Sequence, residues 1–221
     1  MNKTRIILII ASSLDGRIAF PDGGPSHLGS LEDRKILNDS LSNVDATIFG
    51  SGTLKAHKST YLIKNLLTKN NFKSTKHQPI SIVAGDSNKF SGKWNYFTQP
   101  IKRWLISSNN ERSDENKINF DKQFIFKESW RETLKVIYNE GIKTIALLGG
   151  TKLITSFAKE NLIDEIKITI VPDIIGGKYS WISSYSNNLI YNFGNKWTIK
   201  NIKALDTNEI FVHYAKKSDF Y

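Results

Sequence analysis

Three apolar, strand-like runs of this chain end in turns made of glycine and small hydroxyl residues. They are Ser13-Leu14-Asp15-Gly16, Phe49-Gly50-Ser51-Gly52-Thr53 and Leu147-Leu148-Gly149-Gly150-Thr151-Lys152. A glycine directly after a strand and before a helix lets backbone N–H groups come close to a ligand. The helix start adds partial positive charge, so the chemistry such corners suit is the holding of a phosphate. One corner of this kind is ordinary in any α/β protein; three in one chain point to a shared ligand. None reads G-x-G-x-x-G and no G-x-x-x-x-G-K-[ST] occurs, so neither a Rossmann fingerprint nor a P-loop is present. Other reactive residue types are sparse. The absence of cysteine removes disulfides, thiolate metal sites and the cysteine-held zinc of nucleobase deaminases. Four scattered histidines (His27, His57, His77 and His213) lack ligand spacing, and no metal site is expected.

The elements that must carry these turns alternate between apolar runs and longer amphipathic stretches, the pattern of an α/β domain. We expect strands at Ile6–Ala11, Ala46–Gly50, Ile80–Ala84, Arg103–Ser107, Thr144–Leu148 and Glu165–Val171. Trp197–Ala204 and Glu209–Tyr214, joined by Asp206-Thr207-Asn208, read as a C-terminal hairpin. Several runs are apolar and β-branched without alternation, as strands covered on both faces are. Helices are expected at Leu31–Leu41, with Ser30 as cap and Asp33 in the position of a capping box, at Ser129–Asn139, and after Gly150. The polar stretches 64–78 and 109–122 read as surface excursions.

The chain has 221 residues, 39% of them hydrophobic, which suits one sizeable core. Its start, MNKTRIILIIASSL, imitates a secretory signal, but Asp15, Gly16 and Arg17 stand where a small-residue cleavage site belongs, so a buried first strand explains it better. No apolar run reaches the roughly 20 residues of a bilayer span. We therefore expect a cytoplasmic protein without membrane partners. A net charge of +10 favours an anionic ligand. With no basic cluster and no aromatic ladder, a phosphorylated small molecule fits better than nucleic acid.

Taken together and in order, the motifs ASSLDGRIA (11–19), VDATIFGSGT (44–53), LLGGTKLITSF (147–157) and LIDEIKITIVPDIIGG (162–177) resemble the pyrimidine reductase domain of riboflavin biosynthesis, a branch of the dihydrofolate-reductase-like superfamily. The resemblance spans residues 5–215. It implies a three-layer α/β fold with a mixed, mostly parallel sheet, helices on both faces and a C-terminal β-hairpin, as one domain over 1–221 with no deaminase half. It implies an NADPH-dependent reductase that converts the ribosylamino group of a pyrimidine 5′-phosphate to ribitylamino. A different pterin-like or sugar-amine substrate, or a non-catalytic nucleotide-binding relative, is the alternative. By the same resemblance Ala11 and Leu28 line the nicotinamide, with Gly50 and Thr53 beside the cofactor and Ser87 near its adenosine end. Gly149, Gly150, Thr151, Lys152 and Leu153 belong to the pyrophosphate loop. Lys152 and its basic surroundings favour NADPH over NADH. In that fold the chain turns away at Asp15-Gly16 and returns with Ile18-Ala19 to close over the nicotinamide.

The substrate half departs from the family pattern. Relatives carry Asp-Asp-Pro where this chain reads His57-Lys58-Ser59, an Arg at Leu41, a Leu and an Arg at Tyr61 and Lys64, and a Glu at Leu148. Ser26 keeps a substrate-contacting position, and Lys64 keeps a positive charge for a phosphate. The substrate set implied is Ser26, His57, Tyr61, Lys64 and Leu148. Reduction of an imine needs a proton as well as a hydride, and Asp33 and His57 are the candidate catalytic donors. Relatives are commonly dimers, and we expect a homodimer here, with Tyr179, Trp181, Tyr185, Tyr191 and Trp197 as aromatic surface for the contact.

Overall fold

In the computed structural model the described residues are 3–24, 26, 28–63, 78–86, 90–108, 120–183 and 197–217. The run RIILIIASS forms β1 (Arg5–Ser13), buried along nearly its whole length. Successive side chains of a strand point to opposite faces. Ile6, Leu8 and Ile10 therefore enter one core, while Ile7 and Ile9 enter another. The remaining strands are β2 (Ala46–Gly50), β3 (Ile80–Ala84), β4 (Arg103–Ser107), β5 (Lys122–Ile125), β6 (Thr144–Gly149), β7 (Glu165–Val171), β8 (Trp197–Ala204) and β9 (Ile210–Lys216). They join in one nine-stranded sheet of order β5-β4-β3-β2-β6-β1-β7-β9-β8. Pairing is parallel from β5 through β7 and antiparallel at β7–β9 and β8–β9.

Among the described residues four α-helices complete the layers: α1 (Leu31–Leu41), α2 (Ser51–His57), α3 (Trp130–Asn139) and α4 (Thr151–Lys159). On one face, Trp130, Leu134 and Ile137 of α3 and Ile154 and Phe157 of α4 pack on Ile6, Leu8, Ile48, Ile82 and Leu147. The Trp130 and Phe157 rings lie 4.7 Å apart. On the other face, Leu37 and Leu41 of α1 cover Ile7, Ile9 and Ala146, and Leu54 of α2 covers Phe49, Val83 and Leu105. Each side chain of this size, once buried, contributes roughly 1.5–3 kcal/mol. The expected three-layer arrangement and the hairpin β8–β9 are therefore present.

Three local features differ from expectation. β1 continues two residues past Ala11, because the buried Ser12 and Ser13 still pair with Ile170 and Val171 of β7. β5 lies at the end of a stretch read as a surface excursion; KQFI is a short edge strand with three exposed residues, so it carries no apolar run. Trp181 and Trp197 are half-buried against the domain's own core, and half-buried Tyr179 lies over Gly23, so these rings are less exposed than the aromatic surface expected of a dimer contact. Tyr185 and Tyr191 lie outside the described residues.

Candidate functional site

β2 and β6 are neighbours, yet the chain leaves β2 towards β3 on one side and leaves β6 towards β7 on the other. Where connections part in this way in an open α/β sheet, a crevice forms beyond the carboxyl ends of the strands. Here that crevice is a cleft of about 2440 Å³. Sites for a single small ligand usually measure about 300–1,000 Å³. There is room for a dinucleotide and a second molecule.

One wall is made of backbone. α2 starts from Gly50 and α4 from Gly150, and neither start has a side-chain cap. Elsewhere the same protein caps with serine: Ser30 accepts from the Asp33 N–H and Ser129 from the Glu132 N–H, each at 3.2 Å. The first N–H groups of α4 therefore lack the usual hydroxyl partner, which leaves them for a ligand. The corners also touch. A Cβ at Gly50 would lie 3.8 Å from the Gly150 nitrogen, one at Gly150 would lie 3.2 Å from Thr53 Oγ1, and one at Gly85 would lie 2.5 Å from Ser51 Cβ. This cradle fits a pyrophosphate, because a side chain at Gly150 would fill it.

Gly50, Thr53, Gly150, Thr151, Lys152 and Leu153 all line the cleft, as do Ala11 and Leu28. Gly149 does not. It is buried and paired with Phe49, where it shapes the turn (the Gly149–Gly150 peptide is cis). The Thr151 hydroxyl donates to the Ser180 carbonyl, so it secures the 180–183 segment, leaving its backbone to the ligand. Ser87 and Lys64 lie outside the described residues.

The turn after β1 is held by Asp15. Its carboxylate accepts from the Ser13 hydroxyl and from the N–H groups of Ile175 and Gly176, at 3.1 and 2.7 Å, and pairs with Arg17. The Ser13 hydroxyl is the largest of the influences that hold its carboxyl far below the usual carboxylate range. Gly16 takes φ +79, which a side chain resists. The return segment is then fixed by the Ile18 N–H to Tyr179 and by the Trp181 N–H to Gly16. Ile18 and Ala19 reach the cleft wall in this way. The Ser26 hydroxyl donates to the Ile18 carbonyl at 2.8 Å and braces that wall.

The opposite wall is made of side chains from α1 and β7. Asp33 lines it, with Tyr61, His57 and Leu148 on the same cleft. Asp33 does not close the capping box that its position suggests. Glu209, only 4% exposed, takes that place by accepting from Ser30 N–H at 2.9 Å and Ser30 Oγ at 2.7 Å. Asp33 is left to bond the hydroxyl of Thr169. Burial, followed by the charge of Glu209, pushes its carboxyl above the usual range against the pull of Thr169 and Arg34. Thr169 pairs in register with Ala11, one strand over. Lys167, two residues back on β7, donates to Ser40 Oγ at 3.0 Å and also lines the cleft. Burial holds its ammonium below the usual lysine range.

Lys167, Thr169 and Glu209 were missed from sequence. The alternation Glu165, Lys167, Thr169 inside an apolar strand was the available signal for the first two, since period-two polarity marks a strand face turned to something polar. Among the described residues, no group of three or more His, Asp or Glu side chains could hold a metal.

A mostly parallel sheet with a glycine-walled cleft across its strand ends defines an α/β domain whose cleft has room for a dinucleotide-sized ligand and a second molecule. The chain belongs to the family described as the RibD C-terminal domain, which it matches over residues 4–210. It is 28% identical over 199 residues to the riboflavin biosynthesis protein RibD of Buchnera aphidicola subsp. Baizongia pistaciae (strain Bp), covering 82% of this chain and 52% of that protein. It is 26% identical to the 2,5-diamino-6-ribosylamino-4(3H)-pyrimidinone 5′-phosphate reductase of Archaeoglobus fulgidus, covering 79% and 83%. The chain thus spans about half the length of the RibD relatives it matches. In fold it is similar to the Thermotoga maritima diaminohydroxyphosphoribosylaminopyrimidine deaminase/5-amino-6-(5-phosphoribosylamino)uracil reductase, with a TM-score of 0.77, 19% identity, and 97% and 57% coverage.

Proposed function

We propose that this protein is an NADPH-dependent reductase that converts the ribosylamino group of a pyrimidine 5′-phosphate to ribitylamino. The observation that carries this reading is the pair of glycine-started helices meeting at the β2/β6 corner, opposite a second, side-chain wall in the same cleft. The α4 N-terminus and Thr53 would hold the pyrophosphate, and Ala11, Ile18 and Leu28 would enclose the nicotinamide. Bound there, the cofactor supplies a hydride to C1′ of the open-chain imine. The imine is already electrophilic, so the chain's own part is to position it and exclude water. One proton must reach the imine nitrogen as the hydride reaches the carbon. Asp33 and His57 are the two wall groups suited to hold it.

Lys152 on the cofactor wall favours the extra phosphate of NADPH. We expect NADPH to stabilise the protein more than NADH. At 100 times Kd, linkage gives about 2.7 kcal/mol, read as a thermal shift. The pyrimidine phosphate should then cause loss of nicotinamide absorbance. Equal shifts with both cofactors, or no turnover, would count against this reading.

The same proposal places the protein in the cytoplasm, with neither nucleic acid nor a membrane as partner. Among the described residues no helix is long and apolar enough to cross a bilayer. It also includes a homodimer. The support is the apolar surface of the C-terminal hairpin, where Ile199, Ile202 and Ile210 are 53%, 62% and 46% exposed. Light scattering at tens of micromolar should report about twice 25.1 kDa; the single mass would exclude the dimer.

A further inference from the structure

A ribosylaminopyrimidine 5′-phosphate, the substrate proposed above, carries its charge at the far end of the ribose. We propose that Lys167 on β7, steadied by the hydroxyl of Ser40, receives this phosphate and makes the cleft select phosphorylated over unphosphorylated ribosylaminopyrimidines. This rests on the reductase reading above.

Among the described residues the cleft is lined by several lysine and arginine side chains. Arg34, Lys35, Lys55, Lys58, Lys152 and Lys178 are exposed, and Lys167 alone is half-buried. A charge taken out of water needs a partner of opposite sign. The buried acid on the same strand face is already taken. Glu165, 6% exposed and two residues back, is shared by Arg5 and by His213 Nε2, the latter at 2.8 Å. No salt bridge to Lys167 forms among the described residues. Its ammonium donates to Ser40 Oγ at 3.0 Å, a neutral and buried partner. Burial and the charge of Arg5 act against the ammonium, and Asp39, exposed on α1, offsets part of this. The result is a cation on the cleft wall that is short of a counter-ion, which an anionic ligand supplies.

Its place along the strand fits the length of the substrate. Thr169 is in register with Ala11, the residue assigned above to the nicotinamide, and Lys167 is in register with Ile9. Two residues of strand span about 6.6 Å. An open-chain ribose whose C1′ faces the nicotinamide covers a comparable length to its 5′ oxygen, so its phosphate comes within reach of a lysine at that level. The exposed cations of the cleft can also meet a phosphate, but in water such pairs are worth little. At Lys167 the contact is charge-assisted and partly shielded from solvent, where it counts for more. The ligand there is the ribose phosphate and not the cofactor, because β1 separates β7 from the β2/β6 corner and its pyrophosphate cradle.

The test reads the phosphate separately from the rest of the ligand. Dissociation constants of the ribosylaminopyrimidine 5′-phosphate and of its dephosphorylated form are measured by calorimetry for the wild type, Lys167→Met and Lys167→Gln. Met keeps the unbranched stem without the charge, and Gln keeps a donor. We expect the wild type to bind the phosphorylated form about 100-fold tighter, and both variants to bring that ratio within about tenfold. The NADPH thermal shift should persist in both, as the sign of an intact fold. A wild-type ratio near one, or an unchanged ratio in the variants, would overturn the proposal. So would equal weakening of both ligands, since Lys167 would then only shape the wall. A measurement on the wild type alone covers variants that do not fold. Lysine acetylation mapped by mass spectrometry should find Lys167 protected by the phosphorylated ligand and not by the dephosphorylated one. Labelling that does not distinguish the two ligands would overturn the proposal too. NADPH oxidation is followed in parallel: turnover of both forms with equal kcat/KM defeats the phosphate assignment but keeps the reductase, whereas turnover of neither defeats both.

Discussion

The two walls of the cleft are made of different material. At the β2/β6 corner the functional surface is backbone, presented by helices that start from Gly50 and Gly150 without side-chain caps. On the α1/β7 side it is side chain, with the helix cap filled by Ser30 and Glu209 and the acid Asp33 turned outward. The contrast repeats in two aspartates. Asp15 is surrounded by donors from Ser13, Ile175 and Gly176 and is pinned far below the usual carboxylate range. Asp33 has burial and a neighbouring carboxylate against it and is pushed above that range. A carboxylate whose donors come from its own chain is scaffold. One left short of donors at a cleft wall is available to a ligand.

The largest effect should come from the backbone wall. Gly150→Val would place a β-branched side chain against Thr53, inside the cradle. We expect at least about 100-fold weaker cofactor binding, read as loss of the NADPH thermal shift, with an unchanged far-ultraviolet circular dichroism spectrum. Retained affinity in the folded variant would show that the two walls are not divided between cofactor and substrate.

The side-chain wall gives a smaller effect on catalysis and an opposite one on stability. Asp33→Asn should lower kcat/KM for the pyrimidine phosphate by roughly 10²-fold while leaving the NADPH shift intact. Its stability should run the other way. A folded-state pKa raised above the unfolded value gives stability that is present below the unfolded value and is lost as pH rises through the folded one. Asp33 ionised at neutral pH therefore burdens the folded protein, with Glu209 adding repulsion and Arg34 and Thr169 relieving part of it. The ligand-free variant should melt higher than the wild type at pH 7, and the gap should close in acid. A lower melting temperature at pH 7 would place Asp33 among the structural acids.

The same division explains what is legible in the sequence alone. The backbone wall was legible because its parts are contiguous: an apolar run, a glycine turn and a helix start within ten residues, as in LLGGTKLITSF. The strands in the middle of the sheet were legible for a similar reason, being apolar on both faces. The side-chain wall was legible only in fragments. Ser30 and Asp33 read as a capping box, and only the arrival of Glu209, 179 residues away, changes the role of Asp33. Edge strand β5 escaped because an exposed edge does not need apolar residues. The rings expected at a dimer contact escaped in the other direction, since nothing local tells Trp181 or Trp197 which core to fill.

The smallest effect should come from Asp15, where the comparison is sharpest because catalysis is not involved. Its folded pKa is lowered, so the stability it gives is present above the unfolded value and lost as pH falls through the folded one. Asp15→Asn keeps an acceptor for the Gly176 N–H but loses the charge that pairs with Arg17 and favours the donors around it. We expect a modest fall in melting temperature at pH 7 that disappears in acid, where the wild-type carboxylate is itself neutralised. The two asparagine variants should therefore move in opposite directions at pH 7 and converge on the wild type at low pH. Cofactor affinity should weaken in Asp15→Asn if the 173–177 loop and the Ile18–Ala19 return loosen together, and substrate selectivity should not change. Melting curves at pH 7 read the two signs directly, and curves carried below pH 4, towards the lowered folded value of Asp15, read the convergence. A shift of the same sign at pH 7 would mean that donors around a carboxylate do not separate scaffold from site in this cleft.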